Sequence, residues 1–159
     1  MSPEEYAAVA PLADRSGIPL FPFVSSRIVI PAAMFMWMDP ETESLRIADY
    51  VAQRHHSVAI LSSNQEWESQ VGQTFKTRLL EKGVAVPIIE EPPFDASDIR
   101  TQVTKIKQQK FDAVFVTSYL LFSKYMKALH EASVNVPIYS IEIDASAVQS
   151  AGGTAEGLT

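Results

Sequence analysis

No cysteine occurs among the 159 residues. Disulfides, thiolate metal sites and thiol nucleophiles are therefore excluded, while the redox compartment stays open, because this absence suits either side of a membrane. Glycine is scarce, at 6 residues, and none belongs to a GxGxxG, GxxxxGK[ST] or GxSxG pattern. The glycine-built phosphate cradles and the nucleophile elbow are thus missing. Of three histidines, His55 and His56 are adjacent at a predicted helix end, His130 is remote in sequence, and no pair has metal-ligand spacing. No metal, no cofactor and no catalytic residue is expected. A receiver-type phosphoacceptor would need an acidic pair after its first strand and an aspartate closing its third, and neither is evident. Long apolar runs are absent too. "VIPAAMFMWM" (29–38) is too short and too interrupted to span a bilayer. "MSPEEYAAVA" has neither the basic region nor the apolar core of a secretory signal, so no signal peptide is expected in this chain. Positive charge is in deficit: 13 Lys and Arg against 19 Asp and Glu give a net charge of −6. With the basic residues dispersed, that balance argues against nucleic acid or an anionic membrane as partner.

What is present is ordinary globular material, 47% apolar and 20% charged. Ser2-Pro3-Glu4-Glu5 predicts a helix start, with serine as cap and proline at the first helical position, and Gly17 predicts its end. Strands are expected over 19–23 ("PLFPF") and 33–38 ("AMFMWM"), then a helix from Asp39-Pro40 to about Arg54. A strand at 57–61 precedes Trp67, Val71, Phe75 and Leu79, one face of a helix that Lys82-Gly83 ends. A strand at 84–89, a helix striped by Ile99, Val103 and Ile106, and a strand at 112–118 follow. Leu121, Tyr125 and Leu129 mark the next helix, 136–142 the next strand, and Ala145 to Ala151 a short last helix. The strands read as continuous apolar runs, which marks them as covered on both faces. The fold class is therefore α/β, a parallel sheet with right-handed helical crossovers on both sides.

In such sheets ligands bind outside the carboxyl ends of the strands. Ser62, Ser63, Asn64 and Trp67 follow one strand; Thr117, Ser118 and Tyr119 another; Glu142 and Asp144 a third; Ser25 and Ser26 the first. Hydroxyls, rings and carboxylates in that position suit a small polar ligand with a cationic group. Taken singly, Ser62, Ser63 and Asn64 fit helix caps better than ligand contacts. Trp67, at the head of its stripe, fits the core nearly as well as a cleft, but standing where the sheet presents its ligand edge, opposite Tyr119 and Glu142, it is expected to face the cleft. Glu142 is harder to explain away, since a carboxylate at the end of a buried strand needs a partner. Tyr119 falls between.

Four stretches in this order resemble the type I periplasmic solute-binding proteins of the leucine/isoleucine/valine-binding group, the receptors of ABC importers. They are "AAVAPLADRSGIPLFPFVSS", the segment from "DPETESLRIADY" through "VAILSSNQEWESQVGQTFKTRLLEKG", "SDIRTQVTKIKQQKFDAVFVTSY", and "PIYSIE" with "GGTAEGL". The resemblance implies a three-layer αβα lobe and an amino acid or similar small molecule held between two lobes that close by hinge bending. It places lobe-one contacts at Val24, Ser25 and Ser26. An aromatic falls at Trp67, with Glu68 where the family has glycine. The second-lobe tyrosine falls at Tyr119, with Leu120 as its neighbouring alternative, and the acid that holds the ligand ammonium at Glu142. Residues 1–38 would end the first lobe and 39–159 would form the second, incomplete at its C-terminus.

The implied partners are the small-molecule ligand and, for the full-length protein, a membrane permease; the implied location is periplasmic. The family's serine-rich turn for the ligand carboxylate is replaced by "SPEE" at 2–5. Because family members extend at both ends, the chain is expected to be a central fragment, with Met1 a boundary or an internal start, and to expose apolar surface that a homodimer could cover. Two other readings stand beside this: a cytoplasmic ligand-sensing regulatory domain of the same fold, and a flavodoxin-like enzyme or interaction domain.

Overall fold

Proline at the first helical position and glycine just past the last one delimit helix α1 (Pro3–Ser16). Gly17 has φ +63°, and the Ile18 N–H reaches back to the Ala13 carbonyl at 3.0 Å, closing the helix with a left-handed residue. Tyr6 and Ala10, one turn apart, bury the same face of α1 against Leu20, Ile30, Ala33 and Phe35. The Tyr6 and Phe35 rings meet edge to face at 5.3 Å. The structure, a computed structural model, describes residues 3–23, 30–35, 40–141 and 143–155. Its contacts divide the chain into two units, Met1–Glu43 and Ser44–Thr159.

In the first unit the strands expected at 19–23 and 33–38 reduce, among the described residues, to one parallel bridge between Leu20 and Ala33. Pro19, Pro22 and Pro31 crowd both segments, and a residue without an N–H cannot extend a ladder.

The second unit is built on a four-stranded parallel sheet. β1 (Val58–Leu61) and β3 (Ala113–Val116) lie side by side at its centre, with Ile60 opposite Phe115. β2 (Ile89–Glu90) flanks β1 and β4 (Ile138–Ser140) flanks β3, giving the order β2-β1-β3-β4. Where a strand was expected at 84–89, a single bridge joins Ser57 to Ala85 and the ladder resumes at Ile89. Pro87 separates the two pieces.

Every residue of β1 and β3 is buried, and alternate residues serve opposite cores. Val58, Ile60, Ala113 and Phe115 pack with Val71, Phe75 and Leu79 of α3 (Glu66–Glu81) and with Ala48 and Val51 of α2 (Pro40–Ala52). Ala59, Leu61, Val114 and Val116 pack instead with Val103 and Ile106 of α4 (Arg100–Lys107) and with Phe122, Tyr125 and Leu129 of α5 (Phe122–Glu131). Handedness accounts for the split. The step from β1 to β2 runs one way across the sheet, while the steps to β3 and β4 run the other. Right-handed crossovers must then put α3 on one face and α4 and α5 on the other. A short helix α6 (Ala145–Ala151) and a 3-10 turn (Gly152–Ala155) complete the α5 side. The α/β class and the two-sided covering of the sheet are as the apolar runs implied.

The strand order reverses direction between β1 and β3. In an open parallel sheet that reversal opens a crevice outside the carboxyl ends of the two strands.

Candidate functional site

Two loops follow the strands at that reversal. The first follows β1, and its backbone runs on as an extension of the sheet: the Ser62 N–H donates to the Glu90 carbonyl and the Asn64 N–H to the Pro92 carbonyl, both at 2.9 Å. The Asn64 side chain accepts from the Phe94 N–H at 3.0 Å, which ties this loop to the one after β2. Gln65 is the cap of α3, its side-chain oxygen accepting from the Glu68 N–H at 3.3 Å. The expectation that Ser62, Ser63 and Asn64 serve as caps is therefore corrected. Ser62 and Asn64 are drawn to the segment after β2, while Ser63 accepts from the N–H of the cap residue Gln65 and donates to Glu68 in the first turn of α3 without itself being the cap.

The second loop follows β3. Thr117 continues the ladder, its N–H donating to the Leu61 carbonyl at 2.9 Å. Its hydroxyl is buried and, among the described residues, has no hydrogen-bond partner. The Ser118 hydroxyl accepts from the Leu121 N–H at 3.3 Å, at the start of α5. The hydroxyl of Tyr125, buried on α5, donates to the Ser62 carbonyl at 2.8 Å and so braces the first loop from below. Burial, reinforced by the negative charge of Glu68, pushes that phenol far above its ordinary range.

Glu68 joins the two loops. Only 4% exposed, it accepts from the Tyr119 N–H at 2.8 Å through one carboxylate oxygen and from the Ser63 hydroxyl through the other. Tyr119 is 47% exposed, and its hydroxyl donates to Asp144 at 2.7 Å. Asp144 lies beyond β4 as the cap of α6, where its other oxygen accepts from the Ala147 N–H (2.7 Å) and the Ser146 hydroxyl (2.8 Å). The loops after β1, β3 and β4 are thus chained side chain to backbone through Ser63, Glu68, Tyr119 and Asp144. Charge at this edge is negative, and Tyr119 commits its proton to Asp144 with the Ser146 hydroxyl also against its oxygen, leaving a half-exposed ring.

The donors around Asp144, Tyr119 first, hold its carboxyl at about 2, below the ordinary 3.8. A depressed carboxyl stabilises the fold above its unfolded pKa and loses that effect as the pH falls through the folded value. The Asp144 contribution should then be complete above pH 3.8 and fade toward pH 2. A carboxyl NMR titration is expected to show the low midpoint in the wild-type chain and a clear rise toward the ordinary value in Tyr119→Phe. An unchanged midpoint would show the phenol not to be the main donor.

Of the site residues read from the sequence, Trp67 and Tyr119 are described; Val24, Ser25, Ser26 and Glu142 lie outside the described residues. Trp67 is half-buried and packs against the core cluster on the α2 and α3 side of the sheet. Tyr119 stands at the edge itself, joined to the residue after Trp67 by the Glu68 bond. Sequence reasoning noted Glu68 only as an oddity in place of glycine, and Tyr125 only as a core residue. The signal for Glu68 was its place three residues after the Gln65 cap, where a carboxylate ordinarily folds back on the helix start; here it reaches across to the next strand's loop. Among the described residues no helix is long and apolar enough to cross a membrane, and no group of three or more His, Asp or Glu side chains could hold a metal ion.

The profile of a family described as periplasmic binding protein matches residues 1–159. No curated protein sequence matches the chain. Among solved structures, a periplasmic binding protein type 1 from Bordetella pertussis Tohama I superposes with a TM-score of 0.83 at 17% identity, over 99% of this chain and 46% of that one. An ABC transporter substrate-binding protein from Desulfitobacterium hafniense, in complex with Leu, superposes with a TM-score of 0.71 at 13% identity, over 87% and 44%. A solute-binding protein of an ABC transporter from Rhodopseudomonas palustris BisB5, in complex with 3,4-dihydroxy benzoic acid, gives 0.66 at 20% identity, over 84% and 39%. The chain spans less than half the length of each of these proteins.

Proposed function

Since the chain belongs to the periplasmic binding protein family, we propose that it is part of the solute-binding component of an ABC-type importer, acting outside the cytoplasm and delivering its ligand to a membrane permease. Residues 39–159 are assigned to the second ligand-binding lobe and 1–38 to the end of the first. The observation that carries this reading is the chained polar edge at the β1/β3 reversal, where Tyr119 is held half-exposed between Glu68 and Asp144. An open parallel sheet presents small ligands at that place.

The ligand proposed is an amino acid or amino-acid-like compound. The acceptor-rich edge suits a donor group such as an ammonium, with Glu142 as its counter-ion, the Tyr119 and Trp67 rings packing on its body, and Val24, Ser25 and Ser26 binding from the other lobe. A second reading, an aromatic acid, is favoured by the size of Trp67, whose indole offers more stacking surface than a tyrosine.

Calorimetric titration of the full-length protein with L-leucine, L-phenylalanine and 4-hydroxybenzoate separates the two. Binding of an amino acid with no response to 4-hydroxybenzoate is the expected result. Binding of 4-hydroxybenzoate alone would replace the first reading by the second, and no heat with any of the three would count against both.

A further inference from the structure

Among the described residues Glu68 is the one acidic side chain in the buried class, and no Lys, Arg or His pairs with it. A carboxylate taken out of water without a cation is costly, and the cost is offset only where donors are aimed at its oxygens. Here there are two, and they come from different strands' loops: the Ser63 hydroxyl after β1 and the Tyr119 N–H after β3. Packing alone would be served better by an apolar residue at this position. What the carboxylate adds is a second acceptor pointing away from the first, so that one side chain bridges the reversal point of the sheet.

The consequences run outward from that bridge. The Tyr119 N–H precedes a ring that is half-exposed and whose hydroxyl is turned to Asp144. Fixing the N–H fixes where the ring starts, and Asp144 fixes where it ends. Ser63 is itself pinned, its oxygen accepting from the Gln65 N–H while its proton goes to Glu68.

The geometry points to Glu68 as the positioning residue of the ligand edge: its carboxylate locks the Tyr119 loop to the β1 loop and so presents the Tyr119 ring in one orientation before any ligand arrives. This rests on the binding function proposed above. Pre-ordering of this kind raises affinity by removing the ordering cost from the binding step.

The test compares Glu68→Ala, Glu68→Met and Glu68→Gln. Methionine fills the volume without an acceptor, so it serves where alanine leaves a cavity and the chain does not fold. Glutamine keeps one oxygen for the Tyr119 N–H. Amide hydrogen exchange at Tyr119 against Phe115 in the core, without ligand, and L-leucine or 4-hydroxybenzoate affinity are both read in the full-length protein. With that acceptor removed, exchange at Tyr119 should rise about tenfold or more in the Ala and Met variants relative to Phe115. Affinity should fall by about the same factor, and glutamine should restore most of both. Equal protection of Tyr119 in all variants would overturn the proposal, as would a failure of glutamine to rescue, or an unchanged affinity beside a freed Tyr119. Absence of binding in the wild-type protein overturns the transport reading by itself, and the exchange result still decides whether Glu68 is the lock.

Discussion

Replacing Phe115 with alanine is expected to cost the folded chain about 3–5 kcal/mol. Phe115 is fully buried at the centre of β3, opposite Ile60 of β1 and Tyr139 of β4. Its ring stacks on Phe75 of α3, with centroids 3.9 Å apart and planes 16° from parallel. With Val71 and Leu79, this pair holds α3 to the middle of the sheet, where both neighbouring strands prevent collapse around a missing ring. The cavity therefore persists, and its cost adds to the lost transfer energy. Domains of this size have total stabilities of roughly 5–15 kcal/mol, so the variant should be marginal at best. Urea unfolding followed by circular dichroism measures the loss directly, and Phe115→Leu should retain at least half of it. A loss below about 1 kcal/mol for the alanine variant would mean that α3 and the sheet are not packed as described.

The second large effect concerns binding. Glu142→Ala in the full-length protein is expected to weaken an ammonium-bearing ligand by about 2–5 kcal/mol, the usual cost of removing one partner from a desolvated charge pair. The two carboxylates of the chained polar edge are both spoken for. Glu68 accepts from Ser63 and Tyr119, and Asp144 from Tyr119, Ser146 and Ala147. Drawing either to a ligand would break bonds that hold the loops. The family resemblance puts the ammonium's partner at Glu142, directly after "PIYSI", whose strand residues Ile138 and Ser140 are half-buried rather than buried as the sequence implied. Calorimetry on the variant should show the affinity for L-leucine or L-phenylalanine largely gone with the unfolding midpoint unchanged. Unaltered affinity would remove Glu142 from the site.

How much of this was legible in the sequence depends on how local the governing interactions are. Helix α3 lies close to where its apolar stripe and Lys82-Gly83 put it, and α6 spans the residues expected, because a helix is decided within a few residues of itself. Gly83 has φ +79° and Gly17 φ +63°, each just past a helix end, as read. Prolines decided where strand expectations fell short. The segments 19–23 and 84–89 have strand-like side chains, but Pro19, Pro22 and Pro87 withhold the N–H groups that a ladder needs.

The site divides along the same line. Which residues follow which strand is a matter of sequence order, so Ser62, Ser63, Thr117 and Tyr119 could be named. The bond from Glu68 to Tyr119 spans 51 positions and that from Tyr125 to Ser62 spans 63. No local pattern announces such contacts. Glu68 was hidden further because its position after Gln65 already had an ordinary explanation as part of a helix start.

The brevity of β2 also bears on how the chain behaves at high concentration. A sheet margin with free N–H and C=O groups is a template on which a second chain can add a strand, and repeated addition leads to fibrils. At this margin the template is two residues long, interrupted upstream by Pro87, followed by Glu91, Pro92 and Pro93. Proline cannot donate, so an incoming strand would find only a two-residue ladder on which to build. The residues that spoiled a longer strand here also close one route to uncontrolled self-association.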